Sequence, residues 1–375
     1  MWPIFKYLAD LDLAKAGFLA TVTTLLGAGL QPLFGLWSDR GAQRALVLWG
    51  AGLASVGMML GPVYLAGEFL GAFQWYALMF LILLVVRLGQ GMYHPAAASA
   101  AGNLNSDRRS MFVSMFIAAG MFGFASSQGL FSYVFNVTGA HTEWMLIPAA
   151  MILFVGWFWC RPTPVSREDA HGRQRQISDL AAIRWPLATL FLFEVMIGGW
   201  FHGLIFLMPE LLAQNAYPDW MVQGTGYFFW VAGSAVMMIL AGYLSDRFQG
   251  TGVLTMFTAS GLLLYFVMVL CGPIRWWVML GLMFAAGGCI GSANPMAVAM
   301  GQRLDPRHTS LISGILMGLA WAVASPADWI VGVLALQPAL GVTGALLILG
   351  IAGVVALILA FVLPCTVKRM VQKEG

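Results

Sequence analysis

Hydrophobic residues run along this chain in long uninterrupted blocks rather than in alternation with polar ones. Ending each block at charge, proline or a glycine cluster gives eleven segments, roughly 14–36, 45–66, 75–100, 110–135, 144–160, 186–212, 221–244, 252–272, 275–300, 309–333 and 341–363. A hydrocarbon core about 30 Å thick takes roughly 20 apolar residues at 1.5 Å each, so every block predicts one membrane-crossing helix. The fold class that follows is an all-α polytopic membrane protein with little chain left for a soluble domain.

The rhythm breaks once, at 161–185, where Pro162, Pro164 and a dense group of charges predict a linker. It separates an N-terminal bundle of five helices (1–160) from a C-terminal bundle of six (186–364), with a polar tail at 365–375.

The two bundles repeat each other. Gly35-Leu36-Trp37-Ser38-Asp39-Arg40 closes one apolar block, and Gly242-Tyr243-Leu244-Ser245-Asp246-Arg247 closes another in the second half. His94-Pro95 and Asn294-Pro295 are expected to interrupt helices at equivalent places, and both are followed by a charged turn and then by serine and glycine. A duplicated helix bundle with matched interruptions is the build of many secondary transporters. The halves differ in one respect. A full helix (186–212) precedes the block ending at Asp246, but only thirteen or so residues precede the block ending at Asp39. One helix of the first bundle is therefore expected to be absent from these 375 residues, through a misassigned start or a real truncation, or to be supplied by a partner.

Composition agrees with the pattern: 60% of residues are hydrophobic and 9% charged, against about 25% charged in an ordinary soluble domain. The net charge of +3 is explained by loop chemistry and implies no nucleic acid. With the loop after the first helix inside, alternate loops and the tail hold fifteen basic residues, and the other side holds only Lys6, Lys15 and Arg275. That bias predicts an outside N-terminus and a cytoplasmic C-terminus in a multi-pass plasma membrane protein, with a bacterial inner membrane as the expected setting. Cys160, Cys271, Cys289 and Cys365 have no CxxC or metal spacing, so neither a disulfide nor a metal site is expected. A phosphate-binding loop, a zinc-binding HExxH, a serine elbow and paired catalytic acids are all missing from the sequence, which argues against an enzyme and against nucleotide-driven pumping. An ion gradient, with no cofactor, is the energy source this leaves.

These motifs resemble the major facilitator superfamily. Gly35-Leu36-Trp37-Ser38-Asp39-Arg40-Gly41-Ala42-Gln43-Arg44 is similar to its loop motif, and Arg87-Leu88-Gly89-Gln90-Gly91 is similar to a motif of drug/proton antiporters. Met92-Tyr93-His94-Pro95 and Gly314–Trp321 resemble the fosmidomycin-resistance-like efflux group. The chain departs from the pattern at Gly41-Ala42-Gln43, and Ser127-Gln128 stands where antiporters carry Gly-Pro. The resemblance implies a two-bundle fold of family helices 2–12, a monomer, and proton-coupled export of a small amphipathic or anionic compound; proton- or cation-coupled uptake of an organic solute, and a transport-inactive scaffold, receptor or half of a split transporter, are the alternatives. It also implies that the first loop motif favours the outward-open state.

Several polar residues inside the apolar blocks are candidates for the pathway. A mid-membrane arginine costs roughly 2.5–3.5 kcal/mol on insertion scales, so Arg87 should face a cavity or a partner. Arg87, Gln90, Gly91 and His94 share one helical face at i, i+3, i+4 and i+7, a stripe suited to a broken helix lining a central path. Glu194 and His202, eight residues apart, fall about 80° apart around their helix, a spacing that lets both border one cavity without touching. Asn294 occupies the matched interruption, and Asp328, after Pro326, is a second carboxylate candidate in the outer third. Trp200, Trp230 and Trp321 lie deep enough to be candidate aromatic contacts for an amphipathic substrate. Gly35, Asp39, Arg40, Asp246 and Arg247 are assigned to gating: an acid near the positive N-terminal end of the next helix, with an arginine beside it, can latch the two bundles.

Overall fold

The computed structural model describes residues 13–159, 183–222, 226–248 and 250–374, and among them every regular element is helical. Nine stretches are long and apolar enough to cross a membrane. One of them, Thr21–Ala66, bends at Gly41 (φ 103°) into two helices, and the shorter apolar Thr142–Phe158 completes eleven.

The first five helices are α1 (Leu13–Gly29, continued by Gln31–Trp37), α2 (Gln43–Ser55 to Leu60–Ala66), α3 (Ala72–Gly102), α4 (Arg109–Val137) and α5 (Leu146–Trp159). The last six are α6 (Arg184–Gln214), α7 (Gly226–Arg247), α8 (Gly250–Leu270), α9 (Trp276–Gly291 and Ala293–Leu304), α10 (Thr309–Ser313 through Ala327–Ala335) and α11 (Gly341–Glu374). Leu60, Val63, Met79, Ile82 and Phe131 fill one apolar core, a larger one is built almost wholly from α6–α11, and Ala118 of α4 packs with Ala235 and Met238 of α7 in a third.

The helical boundaries depart from the sequence pattern in three ways. α3 runs unbroken through Pro95, whereas α9 divides at Ser292, ahead of Asn294-Pro295. Proline removes one backbone hydrogen bond but does not oblige a helix to end. α10, expected to be uniform, contains a π-helical turn at Gly314–Leu319, and its regular helix is interrupted again at Ser325-Pro326. α11 continues as backbone helix to Glu374 through the expected tail, and α6 begins at Arg184, inside the expected linker. Residues 1–12, most of the linker, and Cys160 lie outside the described residues.

The packing of the halves is unequal. α11 buries Ala345, Leu346, Leu349, Ala356 and Ala360 as it lies against α6 and α8. α5 has no buried position between Leu146 and Phe158; its only half-covered stripe includes Leu153 and Gly156, which lie over Gly52 and Leu48 of α2. Ile147, Met151, Phe154 and Phe158 stand exposed on its other side. No described helix occupies beside α5 the place that α6 occupies beside α11.

Candidate functional site

Two latches join the halves at the end of the molecule that carries the basic turns. Both carboxylate oxygens of Asp39 accept hydrogen bonds from the first turn of α10, Oδ1 from Ser310 N at 3.0 Å and Oδ2 from Leu311 N at 2.9 Å. Asp246 does the same for α4, with Ser110 N at 3.0 Å and Met111 N at 2.8 Å. The first backbone N–H groups of a helix lack intrahelical partners and carry the positive end of its dipole, so a carboxylate there is bound by both effects.

Each acid therefore caps a helix of the opposite half, not the next helix in its own. Close approach makes this reach available: a Cβ on Gly35 would collide with Ser310 O, and one on Gly242 would stand 2.8 Å from Ser110 O. The motif arginines do not take part as expected. Arg40 is exposed, and Arg247 bonds Tyr243 Oη at 2.9 Å. Arg303 of α9, instead of Arg247, is paired with Asp246.

Further polar contacts thicken the same end. Ser38 Oγ and Ser310 Oγ are 3.0 Å apart, Ser99 Oγ and Thr309 Oγ1 2.7 Å, and Arg109 Nη1 donates to Gln302 O at 2.7 Å. Each spans the two halves. Sequence reading missed Ser99, Arg109, Gln302 and Thr309; their one signal is polarity at the ends of apolar blocks, which any exposed turn shares.

About halfway along α3 and α6, a second group faces inward. Arg87 donates from Nη1 to Gln90 Oε1 at 3.1 Å and forms no ion pair among the described residues. It lies within electrostatic range of His94 on its own helix and of His202 on α6, so residues from both halves converge there. Both histidines are half-buried, with His94 Nδ1 and His202 Nε2 sealed from solvent and without a hydrogen-bond partner.

Glu194 has no exposed surface. Its Oε2 accepts a 2.6 Å hydrogen bond from Asn294 Nδ2, and its Oε1 has no partner. Trp321 of α10 faces the same carboxyl, with Nε1 outside hydrogen-bond geometry. The Trp321 ring sits edge-on to His202 at 5.0 Å between centroids and lies 6.2 Å from Phe201. Asp328, seven positions beyond Trp321, is half-buried with Oδ1 unpartnered. A lone buried carboxyl oxygen costs about 1–3 kcal/mol, so such groups persist where something else makes use of them.

The other tryptophans are placed differently. Trp200 and Trp230 have no exposed surface and pack in the core of α6–α11, Trp200 edge-on to Tyr265 at 5.3 Å and Trp230 at 6.1 Å from Phe201. Only Trp321 of the three sits beside the polar cluster. Among the described residues, no three His, Cys, Asp or Glu side chains gather as metal ligands.

A family model described as the Major Facilitator Superfamily matches residues 1–327. The chain belongs to that superfamily. Solved structures of superfamily size share its fold. The fucose:proton symporter FucP of Escherichia coli superposes with a TM-score of 0.66 at 15% identity, covering 96% of this chain and 95% of that one. FucP in the outward conformation gives 0.63 at 14% identity with the same coverage. A bacterial homologue of the iron transporter ferroportin, in an outward-facing state, gives 0.66 at 15% identity over 98% of this chain and 94% of that one. No protein of curated function matches the sequence. Membership of the superfamily makes this a multi-pass membrane protein of a transporter family, and its latches and polar cluster sit within that frame.

Proposed function

We propose that the chain is a proton-coupled secondary transporter that exports a small amphipathic or anionic compound as an antiporter. The two halves rock about the Arg87–Glu194 region, with the basic end facing the cytoplasm of a bacterial inner membrane. The observation that carries this reading is Arg87: a guanidinium at mid-helix with no ion pair among the described residues, facing buried groups of the other half. A charge in that position is stabilised when an anion arrives, and a forked guanidinium suits carboxylate or phosphate geometry. Glu194 supplies a carboxyl that can carry a proton in the opposite phase of the cycle. The latches of Asp39 and Asp246 hold the cytoplasmic end shut while the site is served from outside. The motif likeness to fosmidomycin-resistance-like efflux proteins supports export; the fold shared with a fucose:proton symporter supports proton coupling but also fits uptake.

Purified protein in pyranine-loaded liposomes tests this, challenged with a panel of amphipathic monoanions. Export predicts that an active compound and protons move in opposite directions, and that Arg87→Ala abolishes the signal. Movement of both in the same direction would replace export by the uptake reading. No movement with any compound, from folded protein, would remove the transport reading.

The exposure of α5 favours a second reading, in which the 375 residues work with one further apolar helix set against α5. Such a partner would complete a split transporter. Activity of the 375-residue chain alone in liposomes would reject it.

A further inference from the structure

Trp321 faces the Glu194 carboxyl, with neither its N–H nor Glu194 Oε1 in normal hydrogen-bond geometry, at a junction that lies between the central cluster and one latch. The junction is α10. Its first turn is held by Asp39 through Ser310 and Leu311. Immediately after comes the π turn, where Gly314 and Gly318 press on α1: their Cβ atoms would meet Gln31 O at 2.5 Å and Ala28 O at 2.7 Å. Two residues after the π turn stands Trp321, whose ring edge lies over Gly198, one helical turn along α6 from Glu194. A Cβ on Gly198 would meet Ala324 Cβ at 3.1 Å and stand 3.7 Å from Trp321 Cδ1, so the glycine lets α6 and α10 approach closely beside the indole.

Resting on the reading of Glu194 as the proton carrier, we infer that Trp321 is a positioning residue that transmits the state of Glu194 to the Asp39 latch through the π turn of α10. When the carboxyl releases its proton to cavity water, Oε1 becomes a full acceptor with one empty side, and the Trp321 N–H closes on it. Donors to a charged acceptor bind roughly twice as strongly as to a neutral one. Closing draws α10 toward α6, and the wide, one-residue-long π turn yields to a tighter α turn, displacing Ser310 and Leu311 from Asp39. π turns are costly insertions that recur at functional sites, which suits an element with two arrangements. The side chains that bear on Glu194 are the neutral Asn294 from α9 and Trp321 from α10; the titratable His202 and Asp328 stand farther along α6 and α10, and Arg87 of α3 faces His94 and His202.

Ser38 and Ser310 give a reporter that needs no substrate, because their hydroxyls already meet at 3.0 Å across the latch. In full-length protein with its four native cysteines replaced by serine, Ser38→Cys/Ser310→Cys is oxidised in liposomes at about pH 6 and about pH 9, and disulfide formation is timed against a free-thiol control. Divided by the free-thiol control at the same pH, which removes the larger thiolate fraction at high pH, cross-linking in the parent is expected to be about tenfold faster at the lower pH, the scale of one charge-assisted hydrogen bond. Trp321→Phe, which keeps a ring and loses the N–H, is expected to flatten that difference. Glu194→Gln is expected to be flat as well. A flat Glu194→Gln with Trp321→Phe like the parent would overturn the role of Trp321 and leave Glu194 as carrier. No pH effect in the parent, or one that survives Glu194→Gln, would overturn both.

Discussion

Asp39 caps a helix that begins about 270 residues later: its two carboxylate oxygens take the amide protons of Ser310 and Leu311, one each. Asp246 repeats the arrangement on Ser110 and Met111, so two acids from matched sequence positions close the same end by a crossed exchange between halves. Backbone amides and helix dipoles thus hold the closed end, and the Arg303–Asp246 ion pair adds to them at its edge.

Removing an N-cap acid costs about 0.5–2 kcal/mol, and here the cost falls on the closed state alone. Asp39→Ala is therefore expected to raise the alkylation rate of a cysteine at Ser38, now buried, by roughly two- to thirtyfold. An unchanged rate would show that the cap does not hold this end.

The two partners of Asp246 should not be equal. Arg303 is partly exposed, and such a pair is worth about 0–1 kcal/mol, whereas the acid also binds two amides. Alkylation of a cysteine at Ser245 should increase several-fold in Asp246→Asn but less than about fivefold in Arg303→Ala. The reverse order would place the latch in the ion pair.

Gly242→Ala tests closeness rather than charge. Its methyl would press on the Ser110 carbonyl and the Ser114 side chain, so the closed end should open without any loss of a hydrogen-bonding group. Electron–electron distances between spin labels on α4 and α7 at this end should broaden to longer values; a parent-like distribution would show that the approach is not limiting.

Glu194 and Asn294 should behave as a bonded pair in the core. Asn294→Leu leaves a buried carboxyl without its one partner and should lower stability by about 1–3 kcal/mol in detergent unfolding. Glu194→Leu/Asn294→Leu should recover most of that loss, since removing both partners of a buried bond is nearly neutral. Additive losses would mean that the 2.6 Å contact is not what stabilises either residue.

Much of the frame could be read from the chain because membrane helices leave a coarse signal: the eleven apolar blocks correspond to the eleven helices of the described residues. Arg87, His94, Glu194, His202 and Asn294 gather because a polar group in an apolar helix has few other places to go. The latches were legible only by half. Asp39 and Asp246 stand out as repeated motifs, but their partners are backbone amides, which every sequence carries, so which helix they cap was invisible. The pairing of Asp246 with Arg303 instead of Arg247 depends on a helix crossing, not on adjacency. Pro95 misled because a proline marks a missing hydrogen bond, and the continuous α3 bears that loss. The π turn at Gly314–Leu319 has glycines for its only signal, in a chain with 44 of them. Trp200 and Trp230 could not be told from Trp321, since all three are aromatics in apolar blocks and only packing separates core from cavity.

The most direct measurement is proton movement in pyranine-loaded liposomes holding the purified 375-residue chain, with an amphipathic monoanion imposed as a gradient. Substrate-driven proton flux in the opposite direction, lost in Glu194→Gln and in Arg87→Ala while both variants remain folded, is the predicted result. Substrate flux that moves no protons, or that keeps its proton coupling in Glu194→Gln, would contradict it.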